Sequence, residues 1–401
     1  TVAIDIGTTK ICVLIARCQE NSIVEILGIG TSPSYGLKKG VVVDIAKTVQ
    51  SIKLAVQEAS LMAGRTVESA VIGISGGHIQ SFNSQGMVPI KHGEIRATDI
   101  TQAINAAKAI VIPEGQQLLH VLPRYFMIDS RERVINPLGM HGVRLEAYIH
   151  LITGSIASVQ NLIKCCEMAG VRVADIVLEQ LASAQAVLSP DERELGVAML
   201  DIGGGTSDLA VYQQGSIVHT MVLPVAGNHI TNDIAIGLHT TFSQAEHIKK
   251  EYGLSSLSLL EKDQCFELLC ADGISKQVLF QHELVQIIEA RVTELLSLVK
   301  KEIDTNYLMS RIPAGLVITG GGSLTRGIDH LATNIFLIPI RIGNPLGVTS
   351  FHSLISNPMY ATGYGLLLQA NKKKDTSIDH LSGPLLVRVF SRMKSWMADF
   401  F

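Results

Sequence analysis

TVAIDIGTTKICVLIA, residues 1–16, decides the fold: an apolar run, a short turn of Gly and Thr, then a second β-rich run. That order is a hairpin signature. The plan recurs about 200 residues on as GVAMLDIGGGTSDLAVYQQG, residues 196–215. Recurrence at that distance implies two related domains facing one another. In each copy an Asp ends the first strand, Asp5 and Asp201.

Turns of Gly, Thr and Ser expose consecutive backbone N–H groups and let the main chain approach a ligand closely, which makes an anion nest suited to phosphates. Two such turns, opposed, clamp a polyphosphate. Asp5 and Asp201 then stand beside phosphate, where a carboxylate is repelled unless a divalent cation such as Mg²⁺ lies between. Either turn alone is more often an ordinary hairpin. A third element removes that reading: GLVITGGGSLTRGI, residues 315–328, is a buried strand running into a triple-Gly turn and a helix, which again brings backbone up to a flat or anionic ligand.

Composition sets the frame. With 401 residues, 47% hydrophobic and 17% charged, the chain buries large cores and divides into two or more domains. A net charge of −3 gives no global reason to bind nucleic acid. The six cysteines, at positions 12, 18, 165, 166, 265 and 270, show no CxxC spacing and read as reduced core residues of a cytosolic protein. No apolar run approaches the ~20 residues that cross a bilayer, and no basic-then-apolar leader opens the chain. Thr1 already lies in a strand pattern, so a few residues are expected to precede it.

The three turns, in this order, resemble the phosphate and adenosine motifs of the actin, Hsp70 and sugar-kinase superfamily. VLEQLASAQAVL (177–188) and NPMYATGYGLLLQA (357–370) resemble its two connecting helices. The resemblance implies an α/β, actin-like (ribonuclease H-like) two-domain fold around a cleft for ATP and Mg²⁺. It places Gly7, Thr8, Thr9 and Lys10 on the β- and γ-phosphates, opposite Gly203, Gly204, Gly205 and Thr206, with Asp5 and Asp201 organising Mg²⁺ through water. Gly320, Gly321, Gly322 and Ser323 fall against adenosine. Glu246 and Lys249, three apart on one helix face, reach the ribose and base. Glu179 falls where relatives position the attacking water, although an acid near a helix start is as often a solvated residue favoured by the helix dipole.

Insertions select the branch. The stretches at 71–90, 96–110, 118–129 and 136–154 alternate short β runs with one amphipathic helical pattern. They resemble the subdomain inserted in the first half of the bacterial cell-division family FtsA. A short tail argues against a chaperone, and no general base beside an acceptor pocket is found for a sugar kinase. A phosphotransferase and the related pilus-assembly actin-like protein stay as alternatives. The resemblance divides the chain into subdomain 1A (1–78, 156–193 and 359–370), 1C (79–155), 2A (194–240 and 311–358), 2B (241–310), a linker (371–382) and an amphipathic helix (383–401). His78, His141 and His150 lack partners at ligand spacing and read as structural.

QHELVQIIEARVTELLSLVKKEID, residues 281–304, matches the FtsA region that meets the tubulin-like FtsZ. Its apolar stripe of Leu284, Ile287, Ile288 and Leu295 reads as core, and Arg291, a cation off that stripe, is the candidate FtsZ contact. In GPLLVRVFSRMKSWMADFF (383–401), Leu386, Val389, Phe390, Met393, Trp396, Met397, Phe400 and Phe401 fall on one face, with Arg388, Arg392 and Lys394 off it. A helix of about 25 Å is too short and too charged to span a bilayer, but half-burying six large side chains contributes about 5–9 kcal/mol before ordering entropy, enough for reversible interfacial binding to anionic lipid. The alternative is a helix docked on the protein's own core. Taken whole, the resemblance implies an ATP-binding protein with at most slow hydrolysis. Such a protein self-associates, tethers FtsZ at the cytoplasmic face of the inner membrane, and meets other division proteins through its insert.

Overall fold

The structure is a computed structural model and describes residues 1–18, 24–131 and 133–376. The expected membrane helix at 383–401 lies outside the described residues.

The first half opens with β1 (Val2–Ile6), β2 (Lys10–Cys18) and β3 (Val24–Pro33), an antiparallel meander whose apolar runs are almost wholly buried. A short hairpin, β4 (Leu37–Lys38) and β5 (Val41–Val42), leads to α1 (Ile45–Ala63). Asp44 caps that helix by accepting from the Lys47 N–H, and Gly64 ends it in the left-handed conformation. β6 (Ser69–Ile74) then pairs parallel with β1.

The insert follows: β7 (Gln80–Pro89), α2 (Ala97–Lys108), β8 (Gln116–Ile128), β9 (Arg133–Val134) and β10 (Arg144–Ser155). Its sheet runs β7-β10-β8-β9, with α2 packed on one face around Ile100, Ile104, Leu145 and Ile149. The expected short strands are long ones: β8 and β10 have 13 and 12 residues, because bulges let them bend without ending.

The chain returns through α3 (Ile156–Met168), β11 (Arg172–Leu178), α4 (Glu179–Val187) and α5 (Pro190–Leu195). The second half comprises β12 (Val197–Ile202), β13 (Ser207–Gln213), β14 (Ser216–Leu223), α6 (Gly227–Gly237) and α7 (Phe242–Tyr252). After these come a hairpin of β15 (Cys265–Leu269) and β16 (Lys276–Phe280), then α8 (Gln281–Thr305), β17 (Leu316–Thr319), α9 (Ile328–Phe336) and β18 (Ile340–Ile342). α10 (His352–Ile355) and α11 (Ala361–Thr376) close the described chain.

The duplication read from the sequence is a duplication of topology. The two large sheets run β3-β2-β1-β6-β11 and β14-β13-β12-β17-β18, each an antiparallel meander continued by parallel strands. Each half has its own apolar core, and the insert a third. α4 and α11 cross closely between the halves: a Cβ on Gly365 would lie 1.8 Å from the Ala182 carbonyl oxygen, so only glycine fits there.

Two expectations change. The linker expected from residue 371 begins as helix, since α11 continues through Thr376 and Asn371 is buried. Cys12, Cys165 and Cys166 are core residues, but Cys265 is exposed and Cys270 half-buried, because β15 and β16 form a two-stranded ribbon with one wet face.

Candidate functional site

The two repeated turns close with the same backbone bond: Gly7 N–H donates to Lys10 O at 3.1 Å, and Gly203 N–H to Thr206 O at 2.9 Å. They face each other directly. A Cβ on Gly204 would lie 1.8 Å from Thr9 Oγ1, and one on Gly205 2.5 Å from Thr8 Oγ1. The second turn is also held by the start of α6, whose Gly227 and Asn228 N–H groups donate to the carbonyls of Gly203 and Gly204. Across the gap, Thr9 Oγ1 donates to Asn228 Oδ1 at 3.2 Å.

Between the turns opens a cavity of about 440 Å³, within the usual range for ligand pockets. Asp5, Gly7, Thr8, Thr9, Lys10, Glu179, Asp201, Gly203, Gly204, Gly205, Thr206, Glu246, Lys249, Gly320, Gly321 and Gly322 all line it. Residues from opposite ends of the chain thus meet in one cleft. Ser323 does not: it is buried, and its hydroxyl donates to Gly320 O at 2.7 Å, bracing the third turn from behind.

The floor is acidic. Asp5, Glu179, Asp201 and Asp208 act on one another electrostatically in a site where burial is the largest influence on each. Burial, against the nearby Lys10 and with Asp201 adding to it, pushes Asp5 up to about 6. Burial pushes Asp208 up to about 7, although it accepts hydrogen bonds from Ser75 at 2.5 Å and Thr206 at 3.1 Å. Glu179, the first residue of α4, is raised well above the ordinary carboxylate range by burial and then by Asp5, Asp208 and Asp201. It is no solvated helix-start acid. Asp201 accepts from Ser183 Oγ on α4 at 2.5 Å and from Thr362 Oγ1 on α11 at 3.0 Å, so both crossing helices hold the same carboxylate.

Lys10 is the cation beside this floor. Its Nζ donates to Met359 O at 3.0 Å and lies 3.9 Å from the centroid of the Tyr360 ring. At the other end of the cavity Lys249 Nζ meets Glu246 Oε2 at 2.6 Å, and both contact Thr231 Oγ1. Asp208, Ser75, Asn228 and Thr362 were missed in the sequence. For Asp208 a signal existed: a four-residue turn that pairs Ile202 with Ser207 must place Asp208 opposite Asp201.

Arg291 stands apart from the cleft on α8. The sequence pattern left it a free surface cation, but Asp233 of α6 takes its guanidinium in a paired contact of 2.5 and 3.0 Å, and Glu294 takes a further N–H. His150 is buried between the insert and β14. His78 accepts from the Ser155 N–H, and His141 meets Gly93 O.

Comparison with known proteins gives the same picture at the level of whole chains. A family described as Cell division protein FtsA matches residues 198–365, and one described as SHS2 domain inserted in FTSA matches residues 76–153. The chain is 42% identical to the Cell division protein FtsA of Pseudomonas aeruginosa, over 99% of this chain and 97% of that one. It is 40% identical to that of Neisseria meningitidis over 99% and 98%, and 38% identical to that of Bacillus subtilis over 91% and 82%. Among solved structures, a PilM-PilN type IV pilus biogenesis complex matches with a TM-score of 0.68 at 18% identity, covering 92% of this chain and 98% of that one. MreB5 of Spiroplasma citri bound to ADP matches with a TM-score of 0.57 at 16% identity, covering 94% and 98%. At such identities these two establish the actin-like fold and nothing finer.

Proposed function

This chain belongs to the FtsA family of cell-division proteins, and from that membership we propose that it binds ATP with Mg²⁺ between its two halves, self-associates, and holds FtsZ filaments against the membrane. The observation that carries the nucleotide reading is the pair of turns, closed by the same backbone bond and opposed across a cavity floored by buried carboxylates. Backbone N–H groups of residues 8–9 and 204–205 suit polyphosphate, and the third turn with Glu246 and Lys249 suits the nucleoside. The solved relative MreB5 was bound to ADP.

The carboxylates fit a hard cation. Four acids with Lys10 beside them are stable only if some carry protons or a divalent ion balances them. Among the described residues no three His, Cys, Asp or Glu side chains converge closely enough to ligate a metal by themselves. Asp5 and Asp201 would therefore hold Mg²⁺ through water, which suits an ion that dehydrates reluctantly. Bound there, Mg²⁺ would neutralise phosphate charge. Glu179, its pKa raised well above the ordinary carboxylate range by burial and then by Asp5, Asp208 and Asp201, is placed to exchange a proton in slow turnover.

Nucleotide then acts chiefly on conformation. Ligand bridging the two turns stabilises whichever relation of the halves it fits better, and filament contacts follow that relation. The tail pattern at 383–401 supports membrane attachment, and among the described residues no helix is long and apolar enough to cross a bilayer. For FtsZ, the α6–α8 face around Arg291 is the proposed contact. Since Asp233 already holds Arg291, the face presents the pair rather than a lone cation. Arg291→Glu that binds FtsZ tails as wild type does removes Arg291 from the contact.

The test is liposome co-sedimentation of the full-length chain and a truncation ending at Ser382, each with FtsZ and Mg-ATP. Sedimentation of the full-length chain alone, bringing FtsZ with it, supports the reading. Equal sedimentation of both forms, or FtsZ left in solution, overturns it, and acceptor-stimulated ATP turnover would then favour a phosphotransferase.

A further inference from the structure

A second polar cavity, of about 210 Å³, lies where the insert meets the second half and shares no lining residue with the cleft. Arg124 and Tyr125 of β8 and Arg133 of β9 form its insert side. Gln213 and Gln214, at the tip joining β13 to β14, form the other, with Glu194 at the edge.

The chemistry of this cavity is unbalanced. The Arg124 Nε is buried and has no hydrogen-bond partner, and no carboxylate among the described residues pairs with the side chain of Arg124, Arg133 or Arg311. Arg124 is half-buried: burial first lowers its pKa, Tyr125 acts the other way, and Arg311 and Arg133 both repel its charge. Arg133 lies 4.6 Å and Arg124 5.6 Å from the centroid of the Tyr125 ring, which itself stacks on Tyr148 at 4.5 Å. The aromatic pair thus holds both planar forks at one site. Glu194, the acid in the lining, reaches toward Gly215 at the hairpin tip. A half-buried guanidinium whose buried Nε lacks an acceptor, with a second, exposed guanidinium beside it, is an arrangement that a planar or tetrahedral oxyanion completes, through paired charge-assisted bonds that a point cation cannot make.

We propose that this junction is a binding site for a small oxyanion, phosphate or carboxylate, held by Arg124 and Arg133 of the insert against the Gln213–Gln214 tip of the second half. The seam beside it shows what occupancy would do. Ser81 Oγ donates to Thr220 O at 2.8 Å, Asn83 Nδ2 to Val218 O at 3.3 Å, and Ser216 Oγ to Arg124 O at 2.8 Å. The insert therefore already grips β14, the edge strand of the second sheet, by side chains rather than by a strand ladder. An anion bonded to both walls adds a bridge to that grip and fixes the insert to the half that carries the second phosphate turn.

The experiment titrates inorganic phosphate at constant ionic strength, balanced with chloride, into the full-length chain saturated with Mg²⁺ and a non-hydrolysable ATP analogue, which fills the γ-phosphate position. The saturating nucleotide keeps the cleft from responding. We expect one saturable site, a melting temperature that rises with phosphate, and slower amide exchange at Val218 and Thr220. Arg124→Lys, which keeps the charge and loses the fork, weakens binding about tenfold, and Arg124→Met abolishes it. Should Arg124→Met fail to fold, Arg133→Gln on the exposed short strand carries the same test. A parallel arm with a glutamate-rich peptide separates the sources: saturation by phosphate alone marks a free small anion, and saturation by the peptide marks the side chain of a protein. A phosphate response that survives both arginine substitutions, or no saturable response to either probe, overturns the site.

Discussion

The two halves share one topology and one turn geometry, yet they put different chemistry into the same frame. Opposite Asp5 on the neighbouring strand stands Cys12; opposite Asp201 stands Asp208. The first turn carries Lys10 and the threonines Thr8 and Thr9, whose side chains reach across, while the second is bare backbone at Gly203, Gly204 and Gly205. One half supplies hydroxyls and a cation, and the other supplies main-chain N–H groups and a further acid. Two identical turns could not pack this closely, because two sets of threonines would collide where Thr9 now rests on Gly204.

Making the halves alike should be costly. Cys12→Asp adds a fifth carboxylate to a buried floor, and burial already drives the Cys12 thiol up to about 12. The expected loss is about 3–5 kcal/mol, read by denaturant unfolding. Next in size is Gly204→Val, which drives a branched side chain into Thr9. Nucleotide affinity should fall by about 3 kcal/mol, roughly a hundredfold, and Thr9→Gly in the same chain should recover part of it, as calorimetry would show.

The same contrast explains what the sequence disclosed. Glycines, turns and alternating apolar runs are local, and they announced both hairpins and the third turn, while the crossing helices α4 and α11 came from the family resemblance. The floor is not local. Asp208 reads as an ordinary strand residue until the hairpin register is drawn, and Ser75, Asn228 and Thr362 join it only because β6, α6 and α11 end at one place. Arg291 shows the opposite error. Off the apolar stripe of its own helix it reads as solvated, and only the packing of α6 against α8 supplies Asp233.

The insert belongs to the first half by chain order but is bonded to the second half at β14, so the seam offers a further way to separate the halves. Within it, Thr220 Oγ1–H donates to His150 Nε2, and His150 Nδ1–H to Asn83 Oδ1, each at 2.9 Å, which a neutral imidazole satisfies. Burial first, then His219 and Arg124, take its pKa down from 6.5 to about 3. Below pH 6.5 the unfolded chain binds a proton that the folded chain refuses, so the stabilisation is whole above that pH and is lost progressively as pH falls toward 3. From about pH 7 to pH 5 the loss is about 2 kcal/mol, visible as a falling melting temperature that His150→Gln flattens. The smallest effect expected is that of Arg291→Ala, about 1 kcal/mol or less, since its pair with Asp233 is partly shielded at the surface. A double-mutant cycle with Asp233→Ala isolates the coupling.

The central claim is that two unlike turns clamp one magnesium-bound nucleotide. Calorimetric titration of ATP into the full-length chain, with Mg²⁺ and then with chelator, tests it most directly. The account predicts one equivalent of ATP, bound in a Mg²⁺-dependent way and weakened about a hundredfold by Gly204→Val. Binding that is indifferent to both chelator and Gly204→Val would contradict it.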